Sequence, residues 1–267
     1  MTYVIVGAVL LGLLLYALWE PHWIQASEHT VVVPELTASF EGFRILHLSD
    51  IHGRVGVFSW APFLRWLTQT DMIAVTGDLY SPTRGRSRLA RCLSQLSAPD
   101  GVYYISGNHD YRNGVLAVEP WQPGESRIDN EVRVIERNGE RLWIAGLPDF
   151  VKGKPDWDKV RHELDQQSGP AILLAHRPDA WQLPGVERVS LILSGHTHGG
   201  QVVIPGFGAP LRHNHLPGRY VAGRLEKPGH PVLITSRGLG TSELPVRFGS
   251  RPEVLLIRLT RGEAKND

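Results

Sequence analysis

Residues 44–52 read RILHLSDIH, and this stretch decides the fold. An apolar run of strand length ends in a Ser-Asp-x-His turn, and the same arrangement recurs along the chain. Other apolar runs lead into Gly77-Asp78, Gly107-Asn108-His109-Asp110, His176 and Gly195-His196-Thr197-His198. Near-continuous apolar strands suit a sheet that is covered on both faces. The polar clusters therefore fall at strand ends, where open α/β sheets place their ligand sites.

Working outward, short apolar runs alternate with polar or helical stretches, which predicts an α/β domain. We divide the chain into an N-terminal helix at 1–23, a connector at 24–42 that is polar around Gln25 to Thr30, a main domain at 43–260 and a polar tail at 261–267. The predicted strands are Arg44–Ser49, Met72–Thr76, Val102–Ser106, Val132–Glu136, Leu142–Ala145, Ala171–Ala175, Val189–Leu193, Gln201–Ile204, Val232–Thr235 and Glu253–Leu259. The predicted helices are Pro62–Gln69, Arg86–Ser97 and Trp157–Gln166.

Composition excludes some classes of protein. The 267 residues carry 28 Lys and Arg against 27 Asp and Glu, so the net charge of +1 gives no global attraction to nucleic acid. The single cysteine, Cys92, cannot form an internal disulfide, and its spacing from neighbouring leucines predicts a packed thiol. It also excludes a structural zinc site built on paired cysteines.

The first segment predicts a membrane anchor. From Tyr3 to Trp19 no residue is charged, which is the lower limit for crossing a hydrocarbon core of about 30 Å. Trp19 and Trp23 are aromatic groups of the kind found at headgroup level, and Pro21 ends the helix. The alternatives are a buried core helix, which would show a polar face, and a cleaved signal peptide, which would show a basic start. We predict a single-pass anchor in the cell (inner) membrane; no Lys or Arg precedes Arg44, so the positive-inside rule assigns no side.

The polar clusters together indicate a metal site. Each one alone is ordinary turn chemistry. Carboxylate, amide and imidazole groups in combination suit divalent ions such as manganese, iron or zinc. In Asp50-Ile51-His52 and His196-Thr197-His198 the two groups are two residues apart, which in extended backbone points them to the same side. Glycines 77, 107 and 195 predict sharp turns and close backbone approach at these points.

The order D-x-H, G-D, G-N-H-D, H and G-H-T-H resembles the calcineurin-like metallophosphoesterases, over about Phe43 to Leu259. The resemblance implies a four-layer α/β/β/α sandwich behind the N-terminal helix and a metal-dependent phosphoric ester hydrolase. It implies one metal on Asp50, His52 and His198, and a second on Asn108, His176 and His196. Asp78 would bridge the two metals, and the non-ligand His109 would stabilise or protonate the phosphate. Asp110 would orient His109 or would be a solvent-facing loop carboxylate.

The expected reaction is hydrolysis of a phosphodiester or a pyrophosphate. Two divalent ions, manganese first with iron, zinc or magnesium as alternatives, would lower the pKa of a shared water and neutralise charge on the phosphoryl oxygens. The alternative is a catalytically idle fold that acts as a membrane-tethered binding scaffold. A dinuclear amide or lactam hydrolase would show a His-x-His-x-Asp cluster, which this sequence lacks.

Looser features bear on the substrate. Residues 236–241 (SRGLGT), residues 245–248 (PVRF) and Asp149 in residues 146–149 (GLPD) resemble a membrane-associated bacterial branch of this family. Some members of that branch cleave the pyrophosphate of UDP-2,3-diacylglucosamine, which implies a lipid-linked substrate here; a turn carboxylate explains Asp149 equally well. Residues 83–91 concentrate arginines that would grip a phosphate or form a solvated helix face. His213 and His215 have ligand-like spacing but are interpreted as loop residues.

Overall fold

The computed structural model describes residues 1–80, 86–117, 126–212, 216 and 220–262, without the side chains of Arg86 and Ser126. Its strands, numbered in chain order, are β1 Gln25–Val33, β2 Arg44–Leu48, β3 Met72–Val75, β4 Val102–Tyr104, β5 Tyr111–Arg112, β6 Val115–Leu116, β7 Ser126–Arg127, β8 Glu131–Arg137, β9 Glu140–Leu147, β10 Ala171–Ala175, β11 Leu191–Ser194, β12 Gly223–Leu225, β13 Val232–Thr235 and β14 Glu253–Arg261. Its helices are α1 Thr2–Trp19, α2 Ala61–Leu67, α3 Arg86–Leu93 and α4 Trp157–Asp165.

The strands form two six-stranded mixed sheets. The first has the order β1-β14-β2-β3-β4-β7, and the second has the order β12-β13-β11-β10-β9-β8. Neighbours β2, β3 and β4 run parallel in the first sheet, as do β9, β10, β11 and β13 in the second. Parallel neighbours end at one edge of a sheet, so the loops that follow them are brought together.

Three apolar cores hold the layers together. The central core lies between the sheets and joins Ile45 and Ile257 of the first sheet to Ile144 and Ile172 of the second. A second core packs α2 and α3 on the outer face of the first sheet, and a third packs α4 on the outer face of the second. The predicted four-layer α/β/β/α arrangement is therefore confirmed.

Two parts of the sequence-based assignment are wrong. The segment interpreted as a polar connector contains β1, which pairs residue by residue with β14 from Gln25↔Glu253 to Val33↔Arg261. The predicted strand Gln201–Ile204 makes only the isolated bridges Val202↔Phe248 and Ile204↔Gly208. The backbone has left-handed φ at Gly199, Gly200 and Gln201, so the chain turns where a strand would have to run straight.

The N-terminal helix stands apart from these cores. Thr2–His22 has a mean hydropathy of 2.1 and is long and apolar enough to cross a membrane. None of its most apolar 18-residue window is buried inside the protein, which rules out the buried core helix.

Candidate metal centre

The predicted site residues converge at the carboxyl ends of the parallel strands. Asp50 and His52 follow β2, Asp78 follows β3, and Asn108 with His109 follows β4. From the second sheet, His176 follows β10, and His196 with His198 follows β11. The strand ends of the two sheets thus bring the clusters into contact at one edge of the sandwich, as the strand-end pattern predicts.

One group consists of Asp50, His52 and His198. Their candidate ligand atoms lie within 4.8 Å of one another, and all three residues are buried. The Nε2 atoms of His52 and His198 are 3.2 Å apart, and Nε2 of His198 is 3.6 Å from Oδ1 of Asp50. This is the set that the sequence predicts for one metal.

A second group consists of Asp78, His176 and His196, again within 4.8 Å. Asn108, the amide predicted for this metal, places its Oδ1 3.1 Å from Nε2 of His176. Nδ1 of His196 lies 3.2 Å from the same Nε2 atom.

Asp78 belongs to the second group and also faces the first. Its Oδ2 is 3.6 Å from Nε2 of His52 in the first group and 3.6 Å from Nε2 of His176 in the second. Its Oδ1 accepts a 2.7 Å hydrogen bond from the backbone N–H of His109. The carboxylate is therefore fixed where it can face both groups at once.

The side-chain oxygen and nitrogen atoms of the two groups are suited to bind divalent cations. Nδ1 of His176 lies 2.7 Å from the carbonyl oxygen of Thr76 and must carry a proton, so Nε2, 3.6 Å from Oδ2 of Asp78, is the nitrogen that is available to a metal when the ring is neutral. Carboxylate and amide oxygens with imidazole nitrogens are donors for divalent ions of intermediate hardness.

Burial keeps most of these imidazoles neutral. Desolvation, ahead of the neighbouring charges, lowers the pKa of His52 to about 4 and that of His196 to about 3, and it lowers the pKa of His198 well below its ordinary value. His176 is the exception, because the Asp78 carboxylate outweighs burial and raises the pKa of His176 to about 10. Burial raises the pKa of Asp50 to about 6, whereas His176, His52 and His109 outweigh burial and hold the pKa of Asp78 well below its usual range.

The backbone is strained where these side chains are attached. Positive φ angles between 46° and 70° occur at Asp50, His52, Asp78, His196 and His198. Left-handed backbone is uncommon outside glycine and costs of order 1–3 kcal/mol per residue, and it concentrates at functional sites. Five such residues in one cluster indicate a geometry selected for the site rather than for stability.

Three glycines allow the loops to approach so closely. Gly77 has φ +89°, and a Cβ there would lie 2.5 Å from the backbone nitrogen of Gly107 and 2.7 Å from Nδ1 of His176. A Cβ at Gly195 would overlap Ser49 and Asp50. A Cβ at Gly107 would overlap Asp78, so the close approach predicted for all three glycines is confirmed.

Asp110 has neither of the roles that the sequence left open. It is buried, so it is not a solvent-facing carboxylate. Its Oδ2 accepts from the backbone N–H groups of Asp78 and Gly107 at 2.8 and 2.9 Å, and its Oδ1 accepts from that of Leu79 at 2.9 Å. Asp110 therefore holds the loop of Asp78 against the loop of His109 rather than orienting the His109 ring.

The residues 236–241 wrap the loop that carries Asp50. The N–H groups of Leu239 and Gly240 donate to the carbonyl oxygens of Ser49 and Asp50 at 3.0 and 2.6 Å. The side chain of Asp50 accepts from Ser49 Oγ at 2.5 Å and from the backbone N–H of His196 at 2.9 Å. These contacts fix the carboxylate orientation, as outer contacts commonly do for metal ligands.

Sequence reasoning missed the fully buried Arg247 as a residue of this region. Its guanidinium donates to the carbonyl oxygens of Gly240 at 2.6 Å, Arg237 at 2.7 Å and Ser250 at 2.8 Å. Burial lowers the pKa of Arg247 to about 9, which leaves it cationic at neutral pH. The signal available in the sequence was the PVRF match at 245–248. Its arginine also donates to the carbonyl oxygen of His198 at 3.3 Å and so joins residues 236–241 to the loop of that proposed ligand.

A groove of about 860 Å³ opens over the clusters. His109, Asn108 and Asp78 line it with Arg177. Asp149 is buried, accepts from the N–H groups of Val151 and Lys152, and holds Nε of Arg177 at 2.5 Å. The turn explanation of Asp149 is therefore correct but incomplete, because the same carboxylate also places a guanidinium in the groove.

Some predicted residues do not join the site. Of the arginine-rich stretch, Arg88 and Arg91 lie on an exposed face of α3, which agrees with a solvated helix face, and residues 81–85 lie outside the described residues. His213 and His215 also lie outside them. Cys92 is half-buried, beside the buried leucines of α3.

Comparison with known proteins agrees with this geometry. A protein-family model described as calcineurin-like phosphoesterase matches residues 43–200, more than half of the chain. The chain belongs to the calcineurin-like phosphoesterase family. It is accordingly a metal-dependent phosphoric ester hydrolase, and the family resemblance in its sequence is confirmed.

Relatives in this family include proteins of similar length. The metallophosphoesterase YkuE of Bacillus subtilis (strain 168) is 30% identical over 90% of this chain and 87% of its own length. Phosphodiesterase YaeI of Escherichia coli (strain K12) is 29% identical over 90% of both chains. The transmembrane protein with metallophosphoesterase domain of Danio rerio is 30% identical over 86% of this chain and 56% of its own length.

Proposed function

We propose that this calcineurin-like phosphoesterase is a binuclear phosphodiesterase or pyrophosphatase, held at a membrane by its N-terminal helix and acting on a lipid-linked phosphate. The observation that carries the proposal is the position of Asp78 between two clusters of potential ligands. The ligands proposed for one cation are Asp50, His52 and His198. Those proposed for the other are Asn108, His176 and His196, with Asp78 shared.

The bound cations, manganese first among them, would supply an activated water and neutralise phosphoryl charge. The protein's own contribution lies in the groups around them. Arg177 lines the groove, with its Nε held by Asp149, and a guanidinium is well suited to phosphate oxygens. The backbone of His109 is held by Asp78, and its ring packs edge-on against His52 with centroids 4.9 Å apart. That ring would stabilise or protonate an oxygen of the scissile phosphate.

Membrane attachment is supported by the exposed apolar helix α1 and by relatives named as transmembrane proteins. A lipid-linked substrate, with UDP-2,3-diacylglucosamine as an example, is consistent with such attachment because the helix would confine the groove near a bilayer.

The test uses full-length protein in detergent and a chromogenic phosphodiester, assayed with manganese, after chelation and after metal is restored. We expect activity to be lost and regained with the metal. Activity that is indifferent to the chelator would contradict the proposal.

Two variants separate the proposed roles. His109→Ala should reduce turnover by about 10²- to 10⁴-fold while bound metal persists, because a proton-transfer group is removed but no ligand is. Asp78→Ala should lose metal as well as activity. The matched control is His162→Ala, which removes a histidine of α4 that is hydrogen-bonded to Gln166, and it should behave as the parent. Parental activity in His109→Ala would show that its assigned role is wrong.

A comparison of substrates addresses the finer proposal. The same protein should hydrolyse a sugar-nucleotide lipid such as UDP-2,3-diacylglucosamine in preference to simple monoesters. A clear preference for monoesters would remove the lipid-linked substrate and leave the reaction class intact.

A further inference from the structure

Four large apolar side chains project into solvent on two segments, 204–212 and 242–244, that contribute residues to the lining of the groove. Ile204 is 44% exposed, Phe207 73%, Leu211 67% and Leu244 65%, and we refer to these four as the apolar rim. Phe207 and Leu211 line the groove that contains Asp78 and His109. Leu211 and Leu244 also line an adjoining cleft of about 320 Å³, whose surface is mostly apolar. Exposed apolar side chains grouped around one opening mark an interaction surface.

The rim is continuous with the end of the N-terminal helix. The ring of Phe248 packs edge-on against Tyr16, in the last turn of α1, with centroids 5.5 Å apart. Phe248 in turn accepts from the backbone N–H of Val203 at 2.7 Å and donates to the carbonyl oxygen of Gln201 at 3.0 Å. The segment that leads to the rim is therefore hydrogen-bonded to a residue that touches the helix.

A second set of contacts fixes the same end of the helix. The backbone N–H of Arg247 donates to the carbonyl oxygen of Ala17 at 2.9 Å. The buried carboxylate of Glu20 accepts from the N–H groups of Gly249 and Ser250 at 2.8 and 2.7 Å. Hydrogen bonds thus join the end of α1 to the loop 247–250, and this loop to the segment that leads to the rim. The fold therefore sets the orientation of the rim relative to the helix.

We propose that the apolar rim inserts into the headgroup region of the membrane that α1 spans, so that the catalytic groove opens at the bilayer surface. This inference rests on the proposed membrane attachment and not on the identity of the substrate. Trp19 and Trp23 at the exit of α1 are exposed aromatic residues of the kind that lie at this depth, and the ring of Trp19 lies 6.2 Å from that of Tyr16, which contacts Phe248.

A bilayer fits this surface better than a protein partner does. The rim is attached to a membrane helix at its edge, so lipid is the neighbour that it meets without a further binding partner. Exposed Arg212 adjoins Leu211 and suits anionic headgroups, while exposed Glu243 adjoins Leu244 and would remain at the aqueous edge. A phosphate at headgroup depth would then reach Asp78 and His109 without leaving the membrane.

The experiment measures depth in the bilayer directly. In a Cys92→Ser background, the single variants Phe207→Cys, Leu211→Cys and Leu244→Cys of the full-length protein carry a nitroxide label in nanodiscs of phosphatidylethanolamine and phosphatidylglycerol. Relaxation by oxygen, which partitions into lipid, is compared with relaxation by a water-soluble nickel chelate. Leu10→Cys in α1 is the lipid control, and Val134→Cys, exposed on β8 at the edge of the second sheet, is the aqueous control.

The expected result is that the three rim labels favour oxygen over nickel, at a shallower depth than Leu10, while Val134 favours nickel. Rim labels that match Val134 while Leu10 lies in lipid would overturn the rim proposal and leave the anchor standing. An aqueous Leu10 would overturn the anchor and the rim together. Spin–spin broadening that disappears on dilution with unlabelled protein would mean that a second copy covers the rim, which also overturns the proposal. Thermal unfolding of each variant confirms that the fold is retained.

Discussion

The buried carboxylate of Asp110 is shared by backbone N–H groups from two loops. Both oxygens are occupied, with Oδ2 facing the N–H groups of Asp78 and Gly107 and Oδ1 facing that of Leu79. Burial and the neighbouring Asp78 raise the pKa of Asp110 to about 7, while the N–H groups that it accepts favour its charged form. Because the first of these loops carries a proposed metal ligand, we expect Asp110 to act on the site through backbone position.

Asp110→Asn tests this role, because it replaces one carboxylate oxygen by an NH₂ group. The amide keeps one acceptor but turns an NH₂ group towards N–H donors, so a buried donor is left without a partner. We expect a loss of about 1–3 kcal/mol in the free energy of unfolding, together with a lower manganese content. Asp158→Asn, on the solvated face of α4 with a side chain 94% exposed, is the control and should change neither quantity. Unchanged stability and metal content in Asp110→Asn would show that the loop does not depend on this carboxyl group.

Single residues could be predicted where chemistry and spacing act together. The seven proposed ligands stand in polar clusters after apolar runs, and each lies at the edge that this pattern predicts. Asp110 was left open because its partners are backbone groups, which leave no side-chain signature in a sequence. Arg247 was missed for the same reason, since the groups that it binds are carbonyl oxygens of two loops, residues 236–241 and 247–250.

At the scale of elements, buried strands were predictable and half-exposed ones were not. The core strands β3 and β10 are continuous apolar runs and β2 is nearly so, whereas β1 alternates exposed residues with half-buried polar ones such as Ser27 and His29. Only pairing with β14 identifies β1 as a strand, and that pairing joins residues more than 220 positions apart. For Gln201–Ile204 the error was the opposite one, because a strand was predicted where none forms. The turn that positions His198 overrides the local strand propensity there.

The junction between α1 and the loop 247–250 can be tested by a single substitution. The carboxylate of Glu20 receives the N–H groups of Gly249 and Ser250, immediately after the buried Arg247. Glu20→Gln replaces one acceptor with a donor, so we expect the melting temperature in detergent to fall, corresponding to about 1–3 kcal/mol. Phosphodiesterase activity should become more sensitive to heat at the same temperature, because Arg247 holds the loop around Asp50.

The matched control for this junction is Glu28→Gln, an exposed glutamate on β1. It removes the same charge from the same end of the chain without touching the loop. Equal melting temperatures for the Glu20 and Glu28 variants would mean that the helix is attached to the domain without stabilising it.

At the scale of the whole molecule, a chain of side chains connects the centre of the first sheet to the site. Nε2 of His47 on β2 lies 2.9 Å from Thr76 Oγ1, which donates to Ser49 Oγ at 2.8 Å, and that hydroxyl donates to Asp50. His47 is fully buried, and among the described residues its Nδ1 has no hydrogen-bond partner. Burial, followed by the nearby His29, lowers the pKa of His47 from 6.5 to about 3.

This buried histidine should make the stability of the entire domain depend on pH. The unfolded chain binds a proton at His47 below about pH 6.5 and the folded chain does not until about pH 3, so stability falls as the pH falls through that window. Between pH 7 and pH 5 this one group contributes a loss of up to about 2 kcal/mol. His47→Gln keeps a donor for Thr76 but cannot titrate, so its unfolding free energy, measured with denaturant at both pH values, should decline less than that of the parent. Both proteins carry the same proposed metal ligands, so contributions of the metal site cancel in the comparison. Parallel declines would mean that His47 is protonated in the folded protein, and the charge would then have to be accommodated in the core between Thr76 and the second sheet.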